Sequence, residues 1–217
     1  MRFPSGINNN MNGHLLKIKK LPKNVAKLSI WDIDDTLLDS RGVQELKIYV
    51  YKKKELVKIL STSEFNSYKK KPGEEFSFTA FRDPSLLAKA KAISATVSKA
   101  KKEIHSRDTM VLTLSARSKM SDKNLFLRVF KNVFGLDLHT STSHAVFAGD
   151  LSLTKKISTP SAKAQMIDEC LAAKKFNQVC MYDDHKENLI AFKKLNSKYK
   201  EVVFDAYLVR NGIITKF

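Results

Sequence analysis

The sequence predicts an α/β domain, three layers deep, with helices on both faces of a mostly parallel, Rossmann-like sheet. Three observations lead there. Mostly apolar runs recur at residues 26–33, 109–114 and 179–182, the pattern of strands buried on both faces. Between them lie stretches with apolar residues at helical spacing, and strand–helix alternation argues for parallel crossovers. The 217-residue chain is 43% hydrophobic, enough for one good-sized domain or a domain with a small insert.

Taken in order, residues 1–25 carry Asn8-Asn9-Asn10 and several lysines and read as a flexible basic arm. The first strand covers 26–33. Residues 40–108 read as an insert. Within it, Tyr49, Val50 and Tyr51 favour extended structure, although Val43 to Leu60 also fits a helix. Lys71-Pro72-Gly73 marks a turn, and Phe76, Phe78 and Phe81 read as packed aromatics. Asp83-Pro84 is a helix start, and Leu86, Ala90, Ile93, Val97, Ala100 and Ile104 extend it as one amphipathic helix. Thr109 to Leu114 is a second strand. A helix opens at Ser121 and stops at Gly135, and Ala145 to Ala148 is a short strand. Thr159-Pro160 starts a further helix, Val179 to Tyr182 is a third core strand, and Leu189, Ile190, Phe192 and Leu195 mark another helix. Asn211-Gly212 between two extended runs signals a C-terminal hairpin.

Lysine and arginine number 39 against 22 acids, a net charge of +17. Such a balance favours polyanions through counterion release, although a solvated lysine coat has the same composition. No apolar run reaches the ~18–20 residues of a membrane span, and the N-terminus lacks a signal-peptide core, so a soluble cytoplasmic protein is expected. Cys170 and Cys180 are too few for a disulfide framework or a zinc site and read as small core residues.

The chemistry collects where strands end. The first strand runs into Asp32, Asp34 and Asp35, the second into Ser115 and Arg117, the third into Asp183 and Asp184. Ligands of open parallel sheets bind at the carboxyl ends of strands. Either acidic group alone could be a turn or a helix cap. If the strands are neighbours, the carboxylates converge, repel, and call for a hard divalent cation with oxygen ligands, which suits Mg²⁺. A carboxylate beside that cation can also act as a nucleophile on phosphorus.

At these residues the chain resembles the haloacid dehalogenase (HAD) superfamily of phosphatases. Its DxDxT signature reads Asp32-Ile33-Asp34-Asp35-Thr36; its strand ending in a hydroxyl reads VLTLS with Ser115; its lysine near a helix start is Lys163 in STPSAKAQMI; its acidic pair is MYDD. LSAR and YDDH are similar to the LTGR and YDDR of a branch associated with polynucleotide end repair, with Ala116 for glycine and His185 for arginine. The resemblance implies Asp32 as nucleophile and Asp34 as general acid and then base. Ser115 and Lys163 would hold the phosphoryl group. Asp32, Asp183, Asp184 and the backbone carbonyl of Asp34 would hold Mg²⁺. It further implies that Thr36 orients the loop and that the insert lies where the family places its cap, although its long helix could belong in part to the core domain. Arg117 is near enough to contact substrate phosphate, with a helix-surface role as the alternative, and His185, which abuts the acidic pair, is a candidate substrate contact. The expected substrate is a nucleic-acid 3′-phosphate or a nucleotide, on RNA or DNA ends. A phosphatase of small metabolites, or a non-catalytic nucleic-acid-binding module on such a fold, are the alternatives.

Overall fold

The computed structural model describes residues 20–217 other than 22, 62, 63, 66 and 67. Its centre is a six-stranded sheet in the order β11-β10-β9-β1-β7-β8. The strands are β1 (Lys27–Trp31), β7 (Thr109–Ser115), β8 (Ser143–Phe147), β9 (Gln178–Asp183), β10 (Val203–Arg210) and β11 (Ile213–Lys216). All neighbours are parallel except the β10–β11 hairpin. That hairpin turns on Asn211 and Gly212, both left-handed with φ of 49° and 81°, as a two-residue primed turn requires. The mixed, broadly Rossmann-like α/β class expected from the sequence is therefore present.

Alternation along the strands divides the core in two. Leu28 and Ile30 of β1, Met110, Leu112 and Leu114 of β7, and Val179 and Met181 of β9 face one side. There they bury Met166, Ile167 and Cys170 of one helix (Thr159–Ala173) and Leu189 and Phe192 of another (Lys186–Lys194). Trp31, Val111 and Tyr182 face the other side, against Val97, Ala100 and Ile104 of Ser94–Ile104 and Phe126 and Phe130 of Lys123–Asn132. Each such side chain contributes about 1.5–3 kcal/mol by leaving water. Among the described residues the helices are, in chain order, α1 (Pro84–Leu87), α2 (Ser94–Ile104), α3 (Lys123–Asn132), α4 (Gly149–Lys155), α5 (Thr159–Ala173) and α6 (Lys186–Lys194). The two short 3₁₀ turns are Thr79–Arg82 and Leu195–Ser197.

Where a strand residue under a helix is polar, it is paired. Glu103 of α2 is buried and accepts hydrogen bonds from Lys27, Ser29 and Trp31 of β1. The Trp31 ring then stacks on Tyr182 at 3.8 Å, and Tyr182 on Tyr207 at 4.7 Å, so one register row of β1, β9 and β10 is a continuous aromatic stack. Trp31 immediately precedes Asp32, so this stack fixes the strand end from which the site is built.

The single helix expected from residue 84 onward is instead two, α1 and α2. Between them Lys91–Ala92 forms β6, paired antiparallel with β2 (Leu38–Asp39), and the Ile93 amide donates to the Leu37 carbonyl at 2.9 Å. Long-range pairing overrides a correct local periodicity. Helix α2 packs on the central sheet, while the insert's own structure is a three-stranded antiparallel sheet: β3 (Ile48–Lys52), β4 (Glu55–Leu60) and β5 (Glu74–Ser77). Strands thus win over a helix between Val43 and Leu60. Of the arm expected over residues 1–25, residues 1–19 lie outside the described residues, and Leu21 and Val25 are buried in the core.

Helix α4 had no sequence signal beyond Gly149. A Cβ added at Gly149 would lie 2.5 Å from the Ala116 carbonyl oxygen and 2.7 Å from Ser118 N, both backbone atoms that cannot rotate away. The glycine lets α4 approach the loop after β7. Gly149→Ala is expected to destabilise by about 1–3 kcal/mol in urea unfolding, the cost of overpacking. A change below about 0.5 kcal/mol would show the approach to be slack.

Candidate functional site

The strand order brings distant residues together. β1 lies between β7 and β9, and the chain adds β7 and β8 on one side of β1 before crossing to β9 and β10 on the other. The carboxyl edge around β1 is thus a topological switch point. Register places Trp31 opposite Tyr182, so Asp32 and Asp183 emerge side by side, and the Asp32 amide donates to the Tyr182 carbonyl at 3.0 Å.

Lys163 joins them. Ser158 caps α5 by accepting the Ser161 amide, and Pro160 lies in the first turn. Helical side chains lean toward the N-terminus, so Lys163, the fifth residue of α5, reaches back along the first turn toward the sheet edge. Lys163 is only 1% exposed, and its Nζ donates to Asp32 Oδ1 and Asp183 Oδ2, each at 2.7 Å. Asp183 is held further by the His185 amide at 2.8 Å and by Asn188, whose Nδ2 donates to both carboxylate oxygens at 2.9 and 3.0 Å.

Asp34 points elsewhere. Asp35 is left-handed (φ 55°), and the amides of Leu37 and Leu38 both fold back onto the Ile33 carbonyl. This tight turn directs Asp34 to Arg117, whose Nε and Nη2 donate to its two oxygens at 2.7 and 2.6 Å, and to Ser40 at 3.0 Å. Burial would raise the Asp34 carboxyl, but the Arg117 guanidinium and the Ser40 hydroxyl hold it below its ordinary range. Ser115 is fully buried, its hydroxyl accepting the Arg117 amide at 3.1 Å. Thr36 is also fully buried; its carbonyl accepts from Thr96 at 2.6 Å, and its hydroxyl has no partner among the described residues.

Charge does not balance at Lys163. Asp32, Asp183 and Asp184 each offer an oxygen, all within 4.8 Å of one another. Three carboxylates against one ammonium leave two negative charges, because Arg117 is spent on Asp34. Burial raises the Asp32 carboxyl well above its ordinary value, and Asp183, Asp184 and Asp34 add to this, opposed by Lys163. Burial, then Asp183, raises Asp184 to about 6. An oxygen-only donor set carrying this surplus fits one hard divalent cation, Mg²⁺ among them.

These groups form the floor of a cavity of about 560 Å³. Asp32, Asp34, Arg117, Lys163, Asp184 and His185 line it; Thr36, Ser115 and Asp183 support it from behind. His185 is largely exposed at the mouth, 3.9 Å from Asp184 and 3.8 Å from Glu187. Phe65, Phe78 and Phe81 of the insert and Leu153 of α4 form apolar walls. Ser40, Asn188, Leu153 and the cavity-facing role of the phenylalanines escaped sequence reading. Only Asn188 had a usable signal, lying five residues beyond Asp183 in the next helix. A second, open depression, bordered by Lys193, Lys194 and Lys200 at the end of α6, holds no acids.

Models of known protein families yield no match to this chain, and neither do curated proteins. Among the described residues, no helix is long and apolar enough to cross a membrane.

Asp184 makes a stability prediction. Its carboxyl is raised in the fold, so its contribution is full below its unfolded value near pH 4 and is lost as pH rises through about 6. Asp184→Asn removes that loss. In chelator, it is expected to exceed the wild type at pH 7.5 by about 3 kcal/mol, from about 1.4 kcal/mol per pKa unit over the rise from 3.8 to about 6, and by much less at pH 4. Equal differences at both pH values would contradict the raised carboxyl.

Proposed function

We propose that the chain is a Mg²⁺-dependent phosphomonoesterase of the HAD type, working through an aspartyl-phosphate on Asp32. The observation that carries this reading is Lys163 bridging Asp32 and Asp183 at 2.7 Å on the floor of an accessible cavity, with Asp184 beside them. A purely structural ion pair has no need of the two surplus carboxylate charges.

When bound by Asp32, Asp183, Asp184 and the Asp34 carbonyl, Mg²⁺ supplies positive charge to phosphoryl oxygens and lessens their repulsion of an incoming carboxylate. The chain does the rest. A carboxylate oxygen of Asp32 bonds to phosphorus as the bond from phosphorus to the substrate alcohol breaks. Asp34 gives its proton to the departing oxygen. In the second half Asp34 takes a proton from water as the water oxygen bonds to phosphorus. The bond to Asp32 then breaks, inorganic phosphate leaves, and both groups are restored. Lys163 neutralises charge shared by Asp32 and the phosphoryl group throughout.

Arg117 sets the order of events. While it grips Asp34 with two hydrogen bonds, that residue is a carboxylate and has no proton to give. The phosphate of an arriving substrate is the competing anion that draws Arg117 off; Asp34 then takes up one proton from solvent and becomes the acid, and it returns that proton to solvent when phosphate leaves and Arg117 closes on it again. The Ser115 hydroxyl, buried behind the cavity, serves by holding the Arg117 amide. His185 stands at the mouth of the cavity. The net charge of +17 favours a nucleotide or a nucleic-acid end as substrate.

Asp32→Asn is expected to retain the fold and lower kcat by at least ~10³-fold on any ester the wild type hydrolyses, the order of loss when a nucleophile is removed. Malachite-green phosphate release with and without Mg²⁺ measures it. Undiminished turnover by Asp32→Asn would remove Asp32 from the role of nucleophile.

A further inference from the structure

We infer that the cavity seats the unpaired base of a nucleotide leaving group against Phe78 and Phe81, so that the substrate is a mononucleotide phosphate or an unpaired strand end. The inference rests on the phosphatase reading above and narrows it to one kind of substrate.

The walls above the acids are apolar and aromatic. Phe65, Phe78 and Phe81 are half-buried and turn part of their surface to the cavity. Their rings are fixed by one another: Phe78 meets Phe65 edge-on at 5.3 Å and 90°, and meets Phe81 at 6.1 Å and 74°. Rings already held in place lose little freedom when a ligand arrives. Leu153 of α4 reaches the same cavity from the core side and is 67% exposed, more than any other large apolar side chain among the described residues. A leucine so exposed at a cavity lip is accounted for if a ligand covers it. Ser118 and Thr159 line the same space and bring hydroxyls that can meet the polar edge of a base.

The aromatic wall is tied to the chemistry. Arg117 donates Nη1 to the Phe81 carbonyl at 2.9 Å and lies 4.9 Å over the Phe81 ring, while its other nitrogens hold Asp34. The insert is latched to the same loop, since the Ser121 amide donates to the Arg82 carbonyl and Arg82 Nε to the Lys119 carbonyl. The platform therefore has a set position relative to the proposed acid. Every base has a π-face, so such a wall favours bases without choosing among them. The cavity, about 560 Å³, is of the size that holds one drug-sized ligand such as a single nucleotide, and a base paired and stacked in a duplex does not offer its face to the wall. A duplex end would have to fray before its terminal phosphate reached Asp32.

Phosphate release is measured from thymidine 3′-phosphate, a 3′-phosphorylated single strand, the same end within a blunt duplex, and glycerol 3-phosphate. The wild type is expected to favour the nucleotide and the single strand over glycerol 3-phosphate by at least tenfold in kcat/KM, and over the duplex end by a similar factor. Phe78→Ala is expected to cut the nucleotide-to-glycerol ratio by about tenfold, mostly through KM, the scale of one base–aromatic stack. Phe78→Trp, which keeps a ring, is expected to preserve most of that ratio and guards against a folding artefact. A wild-type ratio near one, a ratio unmoved by Phe78→Ala, or equal rates on duplex and single strand would overturn the inference while leaving a phosphatase. Absence of phosphate release from every ester would instead sink the phosphatase reading. Binding then decides the inference: Asp32→Asn should bind the phosphorylated single strand about tenfold more tightly than Asp32→Asn/Phe78→Ala, and equal affinities would overturn it.

Discussion

The arrangement depends on one buried ammonium. Lys163 Nζ sits 2.7 Å from a carboxylate at the end of β1 and 2.7 Å from another at the end of β9. An ion pair taken out of water is tolerated only when its partners are close and otherwise satisfied. Here Asp183 is fixed by Asn188 and a backbone amide, and Asp32 follows a strand end braced by the Trp31–Tyr182–Tyr207 stack. One ammonium neutralises one of these two charges and has nothing left for a third carboxylate. Asp184 is left in excess, its carboxyl raised by burial and by Asp183. The fold thus keeps an electrostatic deficit at one edge of the sheet, the opposite of what stability alone would select.

The switch in strand order explains how so few residues suffice. Asp32, Lys163 and Asp183 are separated by as many as 151 positions yet meet because β1 pairs with β9 and α5 precedes β9. The insert, with its own small core of Ile48, Val50 and Leu60, hangs over this edge and closes the cavity. Arg117 links the two parts, with one nitrogen on the insert's backbone and two on Asp34. Movement of the insert and the state of Asp34 are consequently not independent.

Much of this was legible in the chain. Mostly apolar runs located β1, β7 and β9, and acids at the ends of two of them marked the working edge. Asn211-Gly212 specified the hairpin because only left-handed residues make that turn. The failures have a common cause. The pattern from Leu86 to Ile104 has helical spacing throughout, but a two-residue pairing with β2, set by residues fifty positions earlier, breaks it. The pairing of Asp34 with Arg117 was equally hidden, since which carboxylate meets which cation depends on the left-handed turn at Asp35. Phe78 and Phe81 read as packing residues because an aromatic that packs and one that packs and lines a cavity have the same local sequence.

The surplus charge is the central claim, and calorimetric titration of the chelator-treated protein with MgCl₂ at pH 7.5 tests it most directly. The account predicts saturable uptake of one Mg²⁺ per chain, lost in Asp183→Asn. Absence of saturable uptake, or uptake indifferent to Asp183→Asn, would contradict it.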